Sequence, residues 1–139
     1  MALFEHLLVP IASESDADST CAALQPYLDS VDHVTVIHVI EKGGGAIDKA
    51  PLAKRKEDGE AILADVESRL SESVSVDSTI AYGTDLVETV FDAAVEAEAD
   101  AVAFRARGGS RITRLLAGDT TSKLVTDPVV PVVSLPNRD

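Results

Sequence analysis

The stretch AVAFRARGGSRITRLLAGDTTSKLVTDPVVPVVSL, residues 101–135, decides how the rest of the chain is read. AVAF is a short apolar run ended by turn chemistry, the pattern of a buried parallel strand. In the RARGGS that follows, Gly108 and Gly109 let the backbone turn sharply. RITRLLAGDTTSKLVTD then reads as a helix, and PVVPVVSL as a strand. Residues 118–121 present small or oxygen-bearing side chains where a helix would begin. A turn leaving a strand and a helix N-terminus are both places where backbone N–H groups point outward, so together they can hold an anion. Function, where legible, is expected here.

Working outward, residues 4–11 read as a first strand, and the polar cluster at 13–18 supplies caps for a helix ending near Ser30. Residues 34–40 are a second strand opening into a flexible connector that contains Gly43, Gly44 and Gly45. Helical periodicity runs over 52–70, with Lys54, Arg55, Glu57 and Asp58 on a charged face and Gly59 weakening the pattern. Residues 74–81 alternate as a third strand. Gly83, Thr84 and Asp85 end it and cap a helix whose buried face is Leu86, Val87, Val90, Phe91 and Ala94. Five strands alternating with four helices imply a parallel sheet covered on both faces, because right-handed crossovers leave little else. No internal repeat or linker interrupts residues 1–139, so one domain is expected. In such sheets ligands bind beyond the carboxyl ends of the strands, where the strand order reverses. If the first and fourth strands are central neighbours, residues 10–13 and 105–109 face each other there.

Twenty-four acidic residues stand against twelve basic ones, a net charge of −12 spread along the chain. That balance argues against nucleic-acid binding, which needs basic surface to displace counterions. Lysine is scarce and aspartate abundant, which fits a protein kept soluble at very high salt as well as an ordinary acidic one. No apolar run approaches the roughly 18 residues of a membrane span. The opening MALFEHLLVP lacks a basic leader and reads as a strand rather than a signal peptide, so a cytoplasmic protein is expected.

Chemistry-bearing residues are few. Cys21 falls with Ala17, Leu24 and Leu28 at helical spacing and reads as core. His38, near a strand end, reads as a packed, hydrogen-bonded imidazole. His6 and His33 show no metal-ligand spacing with it. The three glycines at 43–45 do not continue into a Gly-Lys-Ser/Thr helix start, and no nucleophile-elbow motif is present. No catalytic set is visible.

HLLVP at 6–10, VIHVIE at 36–41, the Gly83 turn and GGSRITRLLAGDTTSKLVTDPVVPVV at 108–133 together resemble a single-domain universal stress protein, over essentially the whole chain. The resemblance implies an adenine nucleotide alpha hydrolase-like, Rossmann-like sheet of order 3-2-1-4-5, usually dimeric, with many members binding ATP. Their motif is Gly, two residues, Gly, nine residues, then Gly and Ser or Thr. Here Gly108 and Gly118 keep the nine-residue spacing, but Arg105 stands at the first glycine and Asp119 at the hydroxyl, before Thr120. An Asp that contacts the adenosine end in ATP-binding members aligns with Ala12, beside Pro10 and Ile11. Val39 matches a position lining the adenine pocket. The motif is degenerate.

Asp119 beside a phosphate would cost roughly 4 kcal/mol at about 4 Å and a dielectric of about 20, against about 8 kcal/mol for a whole micromolar site. In an empty site it would cap the helix and stabilise it by about 0.3–1 kcal/mol. Arg105 and Arg107 belong to an arginine group with Arg111 and Arg114. Two readings follow: Arg105 pairs with Asp119 and closes the pocket, or it holds a phosphate. Arg111 and Arg114, three apart, read as a solvated helix face. The expected function is accordingly a non-enzymatic stress-response or regulatory protein with weak or lost ATP binding and no certain cofactor. The alternative is an ATP- or AMP-binding member using Arg105 with Gly108, Gly109 and Gly118. The apolar last strand, at a sheet edge, predicts a homodimer through Val130, Val132, Val133 and Leu135, as the resembling family forms. A protein partner is compatible with either reading.

Overall fold

The computed structural model describes residues 4–41, 52–105 and 124–136. Five strands, β1 (His6–Pro10), β2 (His33–Glu41), β3 (Ser75–Gly83), β4 (Ala101–Arg105) and β5 (Val132–Leu135), form one parallel sheet of order β3-β2-β1-β4-β5. Three α-helices are described: α1 (Glu14–Leu24), α2 (Leu52–Leu70) and α3 (Leu86–Glu96).

Strand alternation divides the core in two. Leu7, Val9, Val34, Val36, Ala101 and Ala103 point to one face, where α1 and α2 cover them with Ala17, Cys21, Leu24, Leu63, Val66 and Leu70. Leu8, Ile37, Val102 and Phe104 point to the other, against Val90, Phe91 and Ala94 of α3 and against Leu124. Because both faces are covered, the middles of the inner strands are apolar on both sides, at residues 7–9, 36–37 and 101–104. Burial raises the Cys21 thiol pKa to about 11, so this cysteine is an inert packing residue at neutral pH.

The sequence and the structure differ mainly at element ends. The first helix stops being α-helical at Leu24 and continues as a 3-10 turn, Gln25–Ser30, because Pro26 has no N–H for the α ladder. The last strand is shorter than residues 129–135: Pro131 lies outside it, and its carbonyl accepts from Val102 N at 2.9 Å. Helix α2 runs unbroken through Gly59. That glycine is buried where His38 and Ile80 pack against the helix, and a Cβ there would lie 2.6 Å from His38 Cδ2. The feature that weakened the helical pattern is what lets the helix seat on the sheet. The glycine connector at 43–45 and most of the last helix fall outside the described residues. No helix among the described residues is long and apolar enough to cross a membrane.

Candidate functional site

The strand order sets the place of the site. From β1 the chain moves outward through β2 to β3, then α3 carries it back across the sheet to β4 on the other side of β1. The order therefore reverses between β1 and β4, which pair at Leu7–Ala101 and Leu8–Val102. In doubly wound sheets the carboxyl ends at such a point border the ligand cleft. Pro10 closes β1 with Ile11 and Ala12 just beyond it, and Arg105 is the last residue of β4, so these four predicted residues border the same opening. Val39 lies one strand away on β2 and packs against the α3-side core. Arg107, Gly108, Gly109, Gly118, Asp119 and Thr120 lie outside the described residues, as does the predicted pairing of Arg105 with Asp119.

The cleft wall holds a carboxylate that the motif reading did not include. Ser13 caps α1, its hydroxyl accepting from Asp16 N at 3.1 Å. Asp16 reaches back: its Oδ2 accepts from Ala12 N at 2.8 Å and its Oδ1 from the Thr20 hydroxyl at 3.3 Å. This is the geometry of a capping box, with the carboxylate reaching one residue further than usual. Arg105 Nη2 stands 3.9 Å from the same Oδ1, with the two side chains 16% and 9% exposed. Little water screens an attraction between groups so deeply placed. Ser13 followed three residues later by Asp16 was the signal in the sequence. It was legible as a cap, but that the cap's carboxylate would meet Arg105 depended on β1 and β4 being neighbours.

His38 secures the other side of the exit loop. Its Nδ1 lies 2.9 Å from the Ile11 carbonyl, and since a carbonyl only accepts, the ring donates there. Ile11 N in turn donates to the Ile37 carbonyl at 2.8 Å. The main chain at 11–12 is thus held by β2, His38 and Asp16 together, and His38 acts as the packed imidazole its position suggested.

A cleft of this build at a topological switch point defines the doubly wound α/β class, whose members take ligands at that place. The chain belongs to the universal stress protein family, whose profile matches residues 3–136. No curated protein matches it significantly. Among solved structures, it is similar to a universal stress protein from Archaeoglobus fulgidus (18% identity, TM-score 0.69, covering 95% of this chain and 93% of that one). A universal stress protein from the same organism in complex with dAMP is 16% identical, with TM-score 0.66 over 98% of this chain and 100% of the other. An Arabidopsis thaliana family protein with AMP bound is 14% identical, with TM-score 0.64 over 96% and 92%. At such identities the likeness establishes the fold alone.

Proposed function

We propose that this chain is a stress-response regulatory protein without chemistry of its own, whose cleft has weak affinity for adenine nucleotides. The observation that carries this reading is the pairing of Asp16 with Arg105 at the mouth of the cleft, beside Ala12 in place of a carboxylate. A triphosphate recruiting Arg105 would draw it from a buried carboxylate that then stands close to the ligand's own negative charge. Opposite charges at about 4 Å and an effective dielectric of about 20 attract by roughly 4 kcal/mol, about half the free energy of a micromolar site. That solved relatives hold AMP and dAMP supports an adenine nucleotide as the ligand class, and the switch point supports the cleft as its place.

A second reading is favoured by the position of Arg105 itself: a guanidinium at the end of β4 is well placed for a phosphate, so an AMP- or ATP-binding protein using Arg105 with Gly108 and Gly118 is the alternative. Calorimetry with ATP and magnesium at high salt, the condition suited to a chain of net charge −12, separates the two. Mass spectrometry of whatever the denatured protein releases provides an independent check. Binding no tighter than about 1 mM, worth about 4 kcal/mol, is expected; co-purified adenine nucleotide or tighter binding would select the alternative. The double variant Asp119→Ser with Ala12→Asp is expected to bind ATP more tightly than wild type, and equal binding would refute the account of these two positions.

The protein is further proposed to act as a homodimer through β5. Leu135 is buried in its own core and Val133 packs beside it, while Val130 and Val132 are partly buried on the opposite face. The pairing surface would therefore be the strand's open backbone edge together with the margins of those valines and exposed Val129. Light scattering at tens of micromolar tests this: a monomer would refute it.

A further inference from the structure

At the opposite end of the sheet, on the α3 side, parallel register places His6, His33 and Ser75 in one row across β1, β2 and β3, with Thr35 and Asp77 side by side in the next. The two imidazoles meet edge to face with centroids 4.7 Å apart. His33 is held by Ser75 Oγ at 3.0 Å on Nδ1 and by Asp77 Oδ2 at 2.9 Å on Nε2. His6 has a different neighbour: its Nε2 lies 2.7 Å from the Thr35 hydroxyl. Thr35 is buried. Both His33 nitrogens are engaged, and no group of three or more metal-ligating side chains among the described residues is placed to hold an ion.

We propose that His6 and His33 form an acid-responsive pair in which proton uptake by His6, edge to face with His33, releases the entry ends of β1 and β2. The two rings are unequal by construction. His33 Nε2 faces the Asp77 carboxylate, whereas His6 Nε2 faces the buried Thr35 hydroxyl. A proton on His6 places a charge on a partly buried ring that lies beside His33 in register. The groups facing His6 are His33 from β2, Asp77 from β3, and Asp100 with the Glu98 main chain from the turn before β4. Burial first and His33 second lower the His6 pKa from 6.5, outweighing the two carboxylates. The unfolded chain then binds the proton more readily than the folded one. The stability this neutral ring contributes is present above about pH 6.5 and is lost as pH falls through the lowered folded value.

The experiment is a proton NMR titration of the ring resonances of the full chain at fixed salt, with amide exchange followed at residues 5–8 and 33–36. In wild type, exchange at these residues is expected to accelerate as His6 takes up its proton. His33→Gln is expected to raise the His6 midpoint, by up to about one pH unit, the coupling above which paired sites titrate jointly. His6→Gln, which keeps a hydrogen-bonding group toward Thr35, is expected to abolish the acid-dependent exchange. Should His33→Gln fail to fold, the wild-type and His6→Gln measurements still decide. An unchanged His6 midpoint in His33→Gln or acid-dependent exchange persisting in His6→Gln would each overturn the proposal.

Discussion

Both ends of β1 are held by an aspartate accepting main-chain N–H groups, yet the two serve different purposes. At the entry end, Asp100 Oδ2 accepts from Glu5 N and His6 N, each at 2.9 Å, from an exposed position in the turn before β4. At the exit end, Asp16 accepts from Ala12 N, but it is buried and stands beside Arg105. The first is a clamp that water can replace. The second stands where doubly wound folds receive ligands, and under the proposed function it ties up groups that a ligand would use. The same local chemistry is exposed where β1 begins and buried beside a cation where it ends.

The sharpest way to break this comparison is to remove the two carboxylates separately. Asp16→Ala leaves Arg105 with less of its buried counter-charge and Ala12 N without its acceptor. A loss of about 3 kcal/mol, roughly 10 °C in Tm, is expected by thermal denaturation. Asp100→Ala should lower Tm by clearly less, since solvent can reach the freed N–H groups; equal losses would show that burial does not distinguish the two ends.

Next in size is Gly59→Leu, which drives a side chain into His38 and Ile80. Overpacking of this kind is expected to cost about 2 kcal/mol, and the ring resonances of His38 should shift as its bond to the Ile11 carbonyl is strained. An unshifted His38 would mean that the exit loop does not depend on that helix contact.

A smaller gain is expected at the entry end. Helix α3 finishes in a Schellman turn, with Glu98 N donating to Val95 O at 3.1 Å and Ala99 N to Ala94 O at 2.9 Å, and Glu98 adopts φ 59° where glycine is usual. Glu98→Gly relieves the left-handed strain and should stabilise the fold by about 0.5–1 kcal/mol in denaturant titrations. No gain would indicate that the Glu98 side chain contributes something that offsets its strain.

The smallest effect is acid-dependent. Hydrogen bonds from Glu5 N and His6 N hold the Asp100 pKa below its usual 3.8. The unfolded carboxylate therefore takes up a proton first, so the stabilisation is present above about pH 4 and is lost as pH falls through the lowered native value. Asp100→Asn should flatten this part of the pH–stability curve, and an unchanged slope would exclude the clamp as its source.

Much of the fold was legible in linear order. The period-two and apolar runs of the strands, and the spacing of Ala17, Cys21, Leu24, Val90, Phe91 and Ala94, are local consequences of which side of an element meets the core. Gly59 misled because glycine is costly in an isolated helix, and only the approach of His38 from β2 explains its use. Within the site, Pro10, Ile11, Ala12 and Arg105 were found by their place at strand ends, which follows from topology. Asp16 was read only as a cap, because nothing in a linear pattern shows that a helix cap on one strand's exit will face the terminal arginine of another.

The amino-acid order thus determined which segments are strands and helices and which of their faces are apolar, and through the family resemblance it carried the expectation of a ligand motif altered at Ala12, Arg105 and Asp119. Tertiary structure decided which ionisable side chains meet: Asp16 with Arg105 at the β1–β4 switch point, and His6 with His33 and His33 with Asp77 across three strands in register. The reason is physical. Hydrophobic periodicity is a short-range property carried by a few neighbouring residues, whereas a buried pairing acts over a few ångströms between residues tens of positions apart, and so depends on how the strands are ordered and registered.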